Sequence, residues 1–287
     1  MNRPVVVGVD GSPASLAAAA EAARAAARRN LPLHLLHGYL HPLGYGVPLS
    51  PYDLGLPVPS DAGQQMLERA VGELATRWPG VHIEARQLAG GPGAALVEES
   101  QRAELVVVGS RGLGGFGGLL LGSVSAQVVA HAHCPVLVVR GADGPVPERG
   151  PVLVGVDGSE SAELAVRYAA EEAARREAEL VLVHAEEGRH PESAGGVPPE
   201  EEPSTLLASA AAAARDGHPD LAVTARTVRA RSAEQALIEA SREAALMVVG
   251  TRGRGGFVGM LLGSVSQALV HHAHCSVLVA HAYDRAG

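Results

Sequence analysis

Lysine is missing from this chain: all 23 of its basic side chains are arginine. A phosphate loop of the Walker type, G-x4-G-K-[ST], is therefore excluded, and with it the lysine that neutralises developing phosphate charge. Aromatic residues are scarce at 3%, so the core must be aliphatic, and stacking platforms for single-stranded nucleic acid are not to be expected. Two cysteines make no disulfide framework. No apolar run approaches the ~18 residues of a membrane span, and the N-terminal MNRPVVVGVDGS has no apolar signal segment. Positive charge is also short: the formal net charge is −8 and the pI is near 5.9, which argues against nucleic acid or a membrane surface as partner. These absences predict a cytoplasmic globular protein. A hydrophobic content of 47% supplies enough material for two cores.

What is present is present twice. GSRGLGGFGGLLLGSVS (109–125) recurs as GTRGRGGFVGMLLGSVS (250–266), both reading G-x2-G-x9-G-S. VVVGVDGSPAS (5–15) recurs as VLVGVDGSESA (152–162), LHLLHGY (33–39) as LVLVHAE (180–186), and HAHCPVLVV (131–139) as HAHCSVLVA (272–280). Early landmarks are offset by 147 residues (Asp10 to Asp157) and later ones by 141 (Gly109 to Gly250), so the second copy is six residues shorter between its second strand and its glycine loop. A repeat this long is a tandem of whole domains and not a solenoid. We place the domains at 1–141 and 151–287, joined by a linker at 142–150 within the Gly- and Pro-rich GADGPVPERG.

Within the first copy, the continuous apolar run 4–9 reads as a strand buried on both faces. Ser12 and Pro13 then supply an N-cap and first helical residue for an Ala-rich helix to about Arg29. Strand 33–39, a long loop 40–60 with five prolines and three glycines, helix 61–78, strand 81–88, helix 92–102 and strand 104–108 follow. The glycine loop, a helix from Ser123 to about Ala132 and a strand 135–140 complete the unit. The second copy repeats this order with a different loop at 187–203, whose acidic run 200–202 reads as a solvated face. Alternating strands and helices predict an α/β fold, a doubly wound parallel sheet in each domain. Ligands in such sheets bind beyond the carboxyl ends of the strands at the switch in strand order. The Asp-Gly-Ser after strand 1 and the glycine loop after strand 4 both sit at such ends.

A glycine-rich turn between a strand and a helix start aims backbone N–H groups at phosphate. Gly109 and Gly112, like Gly250 and Gly253, are expected to turn the chain with positive φ and to approach a ligand closely. Gly122, Ser123, Val124 and Ser125, and likewise Gly263, Ser264, Val265 and Ser266, would open a helix whose dipole attracts anionic oxygen. Ser123 and Ser264 read equally well as plain N-caps. Ser110, Arg111, Thr251 and Arg252 lie at the variable positions of the motif; the arginines could pair with phosphate, although solvated arginine is the commoner state. Asp10 and Asp157 end strand 1 and read either as turn residues or as carboxylates that a cation would join to phosphate. The His-Ala-His-Cys segments, with His131, His133 and Cys134 or His271, His272, His274 and Cys275, have metal-ligand chemistry. They sit at a helix end entering an apolar strand, however, so we read them as structural.

In these motifs the chain resembles the universal stress protein family, in its tandem ATP-binding form, over nearly its whole length. The resemblance implies five-stranded domains of order 3-2-1-4-5, a Rossmann-like arrangement akin to the adenine nucleotide alpha hydrolases, and pairing through the fifth strands. It implies one ATP per domain, with Mg2+. The β- or γ-phosphate would lie at Ser123 or Ser264, ribose or metal at Asp10 or Asp157 beside Gly8 or Gly155, and adenine at the backbone of His37 or His184. A stress-response role, a possible homodimer and a further protein partner are also implied. Three classes compete: a nucleotide-dependent sensor or regulator, a slow ATPase or phosphotransfer enzyme, and an interaction module independent of nucleotide. The missing lysine predicts little or no hydrolysis.

Overall fold

The computed structural model describes residues 3–39, 61–112, 121–140, 149–188, 204–253 and 261–282. The predicted loop 40–60, residues 189–203 with their acidic run, residues 141–148 of the linker region and the middle of each glycine loop lie outside the described residues. Two compact units part at residues 145 and 146.

The first unit runs β1 (Val5–Gly8), α1 (Pro13–Arg29), β2 (Leu33–Tyr39), α2 (Asp61–Arg77), β3 (Ile83–Ala89), α3 (Pro92–Ser100), β4 (Leu105–Gly109), α4 (Ser123–His131) and β5 (Val136–Val139). β1 pairs in parallel with β2 (Val5 opposite Leu33) and with β4 (Val5 opposite Leu105); β3 adds to β2 and β5 to β4. The order is therefore 3-2-1-4-5. The second unit repeats it with β6 (Val152–Gly155), α5 (Glu160–Arg176), β7 (Leu180–Glu187), α6 (Thr205–Gly217), β8 (Val223–Ala230), α7 (Ala233–Ala240), β9 (Leu246–Gly250), α8 (Ser264–His272) and β10 (Ser276–Ala280). Here β6 lies between β7 and β9, again in parallel, with β8 and β10 outside them.

The central strands are uninterrupted valine and leucine because both faces are covered. Val5, Val6, Val7, Val106 and Val107 are wholly buried, each contributing roughly 1.5–3 kcal/mol of burial. With almost no aromatics to fill space, helices must approach the sheet closely, and alanine permits it. Ala18, Ala22, Ala23 and Ala26 of α1 are inaccessible to solvent, as are Ala165, Ala169 and Ala173 of α5. Ser12 caps α1 by accepting from the Ser15 N–H at 3.2 Å, and Pro13 follows at the first helical position as expected. The equivalent helices α1 and α5 are each followed by a left-handed cap residue, Asn30 (φ 53°) after α1 and Glu177 (φ 51°) after α5. Among the described residues no helix is long and apolar enough to cross a membrane.

Candidate nucleotide site

Because β1 and β4 are neighbours, the Asp-Gly-Ser turn and the glycine loop meet at the same end of the sheet. The turn depends on a glycine in the left-handed region, Gly11 at φ 85° and Gly158 at φ 77°. Asp10 uses Oδ1 to accept from the Ser12 N–H at 2.9 Å, and Asp157 does the same with Ser159 at 3.0 Å. Oδ2 faces the glycine loop: a Cβ built on Gly112 would stand 2.5 Å from Asp10 Oδ2, and one on Gly253 2.5 Å from Asp157 Oδ2. The turn role and the site-facing role therefore fall to different oxygens of one carboxylate.

The expectation of positive φ at Gly109, Gly112, Gly250 and Gly253 is not met. The left-handed glycines among the described residues are Gly11, Gly90, Gly150 and Gly158. What the motif glycines lack is room. A Cβ on Gly109 would lie 2.8 Å from the Ala14 carbonyl oxygen, and one on Gly250 2.6 Å from that of Ser161. The first glycine thus lets β4 or β9 press against the start of α1 or α5.

The loop closes on itself through backbone. Gly122 N–H donates to the Ser110 carbonyl at 2.8 Å, and Gly263 N–H to that of Thr251 at 2.8 Å. The N-cap reading of Ser123 and Ser264 is corrected: the caps are Gly122 and Gly263, and each serine is the first helical residue. Glycine brings no side chain to a cap. The first helical bond of α4 is Ala126 N–H to the Gly122 carbonyl at 2.9 Å, so the N–H groups of Ser123, Val124 and Ser125 precede it and point out of the helix end. Ser125 Oγ donates to the Gly109 carbonyl at 2.6 Å and Ser266 Oγ to that of Gly250 at 2.6 Å. These hydroxyls serve the fold, tying the helix start to the strand end.

His37 Nδ1 lies 2.8 Å from the Val9 carbonyl, and His184 Nδ1 2.7 Å from that of Val156. A carbonyl only accepts, so Nδ1 carries the proton and the ring is locked across the end of β1 or β6. Beside it, a Cβ on Gly38 would be 2.6 Å from Pro92 Cα. In the second unit the corresponding pair is Ala185 and Ala233, so one copy sets a bare backbone against proline and the other alanine against alanine. Gly8 serves packing as well: Leu96 Cδ1 would lie 2.7 Å from its Cβ.

In the first unit these pieces surround a cavity of 420 Å3. Of the residues expected there, Gly8, Asp10, His37 and every described motif position border it except Ser110, whose backbone serves the loop closure. Sequence reasoning missed its apolar wall, made by Leu36, Leu88, Pro92, Ala95 and Leu96. The signal was available in the apolar residues at the ends of β2 and β3 and in the first turn of α3. The second cavity, at 110 Å3, is bordered by Gly155, Asp157, His184, Gly250, Arg252 and Gly253. Of its helix start, Val265 and Ser266 border the cavity but Gly263 and Ser264 do not, nor does Thr251 of the loop.

The His-Ala-His-Cys segments lie away from both cavities. Cys134 and Cys275 are fully buried, and burial pushes the Cys134 thiol up to about 12. Among the described residues no group of three His, Cys, Asp or Glu side chains could hold a metal ion.

Fold and cavity define a class: a duplicated, doubly wound parallel α/β protein with a glycine-walled cavity and an open helix start at the switch in strand order. The chain belongs to the universal stress protein family, whose family model matches residues 1–140 and again 148–281. It is similar to Universal stress protein Rv2623 of Mycobacterium tuberculosis, at 39% identity over 288 residues, covering 96% of this chain and 95% of that protein. A solved universal stress protein from Archaeoglobus fulgidus shares the fold at TM-score 0.70 and 22% identity, over 97% of this chain and 98% of that one. A solved universal stress protein in complex with cAMP is 34% identical, covering 48% of this chain and 96% of that one at TM-score 0.37.

Proposed function

We propose that this protein holds an adenine nucleotide, ATP, in the cavity at the β1–β4 switch, and that occupancy rather than hydrolysis is its output in a stress response. The carrying observation is the first-unit cavity itself. Its 420 Å3 falls in the roughly 300–1,000 Å3 range of small-molecule sites, and it combines an apolar wall with a helix start capped by glycine. The apolar wall from β2, β3 and α3 suits a purine, and the N–H groups of Ser123, Val124 and Ser125 suit phosphate oxygen. Asp10 is the residue that would hold a Mg2+ ion accompanying the nucleotide; such an ion would screen its carboxylate from the phosphates. Arg111 borders the same space and is a cationic candidate for phosphate.

The chemistry of holding is favoured over turnover by the residue set. No lysine exists to stabilise charge on a transferring phosphoryl group, and the histidine of the site has its Nδ1 committed to a backbone carbonyl. The test is direct. Purified protein is denatured and the supernatant examined for adenine nucleotide, and stripped protein is titrated calorimetrically with Mg-ATP. Released nucleotide or a saturable heat is the expected result; neither in both measurements overturns the reading. Steady turnover far above spontaneous hydrolysis, lost in Asp10→Ala, would instead make the protein an enzyme.

A further inference from the structure

We propose that the two sites are unequal because the second unit carries its own anion: the Glu234 carboxylate is bonded to Ser264, the counterpart of the Ser123 that borders the first cavity. The triphosphate is then accepted at Asp10 and Ser123 and refused at Asp157 and Ser264. This rests on the nucleotide reading above and sharpens it from two equivalent sites to one.

The argument begins from a paired difference between the copies. With the 141-residue offset, α3 and α4 of the first unit correspond to α7 and α8 of the second, Gly93 to Glu234 and Gln127 to Ala268. Gly93 is buried, and a Cβ there would collide with the Gln127 side chain on α4. The second unit has made the opposite choice at both places. It has the small Ala268 on α8 and Glu234 in the first turn of α7, and these two helices pack together. Its carboxylate meets the hydroxyl of Ser264, the first residue of α8. That hydrogen bond is the main reason its carboxyl lies below the usual glutamate range, followed by its own backbone N–H and Ser232. At neutral pH the group is therefore fully charged.

Two independent features agree. Ser161, where the first unit has Ala14, accepts from the Arg252 N–H at 3.3 Å and also contacts the Arg252 carbonyl, so the start of the second glycine loop is stitched to α5. And the cavity is 110 Å3 against 420 Å3, with Gly263 and Ser264 no longer on its border while Gly122 and Ser123 border the first.

A helix start favours one anion. Where a carboxylate already stands on the first helical residue, each arriving phosphate charge meets a like charge, at roughly fivefold in affinity per pair even in water-like surroundings. For a triphosphate the expected discrimination against the second unit is at least about tenfold.

The experiment is calorimetry with Mg-ATP on the full chain, with thermal unfolding as a check on each variant. The wild type is expected to bind one ATP per chain. Glu234→Gly combined with Ser161→Ala, which gives the second unit the first unit's residues at both places, is expected to bind two. Gly93→Glu with Gln127→Ala, which gives the first unit the second unit's residues on α3 and α4, is expected to weaken the first site at least about tenfold. Two equal sites in the wild type, or a single site retained in the Glu234→Gly Ser161→Ala protein, overturns the inference while nucleotide binding stands. Loss of a wild-type second site in Glu234→Gln would make the carboxylate a metal ligand for the nucleotide, and overturns it too. Absence of heat from every protein overturns the nucleotide reading, and this inference with it.

Discussion

Gly112 has no room for a side chain because Asp10 stands where one would go: its Cβ would lie 2.5 Å from Asp10 Oδ2. The same relation holds between Gly253 and Asp157, at 2.5 Å. The two most separated parts of the motif set, one after β1 and one after β4, are thus in contact only because those strands are paired.

Gly112→Ala therefore forces Asp10 to swing. Asp10 is anchored through Oδ1 to the Ser12 N–H at 2.9 Å, a bond worth about 1 kcal/mol. The expected result is an ATP affinity lowered at least about fivefold, with a melting temperature close to wild type. Calorimetry beside thermal unfolding checks it; unchanged affinity would separate Asp10 from the site.

Glu177 ends α5 at φ 51°, a conformation that costs an L-residue with a long side chain more than it costs Asn30, at φ 53° at the end of α1. Glu177→Gly should stabilise the protein by about 0.5–1 kcal/mol once the greater freedom of glycine in the unfolded chain is subtracted. Asn30→Gly should change little, since asparagine tolerates this region. Urea denaturation of the two variants distinguishes them, and destabilisation by Glu177→Gly would contradict the assignment.

The two thiols should be silent in the folded protein. Burial raises Cys134 to about 12, and Cys275 is equally inaccessible. The nucleophile is the thiolate, so a maleimide at pH 8 should label neither cysteine natively and both in denaturant. Rapid native labelling would show that β5 or β10 opens.

Glu234 gives a sign for pH dependence. Its folded value is lowered, so the contribution of its hydrogen bond to Ser264 is complete above the ordinary glutamate range and is lost as pH falls through the lowered value. The stability difference between wild type and Glu234→Gln should be flat at neutral pH and close on acidification below about pH 4. Urea titrations at stepped pH measure it; a difference that widens towards acid would place Glu234 elsewhere.

Much of this was legible before any coordinates. Valine runs mark buried parallel strands, Ser12-Pro13 marks a helix start, and the doubled motif marks the loops that border the cavities, because each signal is local in the chain. The failures were also local in kind. Analogy with turns predicts positive φ at the motif glycines, whereas these positions are bare because a neighbouring segment approaches: Ala14 at Gly109 and Asp10 at Gly112. Ser123 was read as a cap, but the chain enters the helix one residue earlier, at Gly122. The mismatch of Glu234 with Gly93 is visible when the copies are aligned, yet carries no signal of its own. A glutamate in the first turn of a helix is unremarked until the facing helix is known.

By itself, then, the sequence determined the duplication, the order of strands and helices, the aliphatic core and the glycine-rich backbone that borders the cavities. Periodicity, capping and glycine spacing act over a few residues and survive being read in one dimension. Only the tertiary structure decided that the two copies differ as sites. That difference lies in contacts between residues 30 or more apart, Glu234 on Ser264 and Ser161 on Arg252, and distance along the chain says nothing about which of them will meet. Packing of α7 on α8 and of α5 on β9 brings those charges and hydroxyls together, and the first unit has no counterpart of either contact because Gly93 and Ala14 stand in their places.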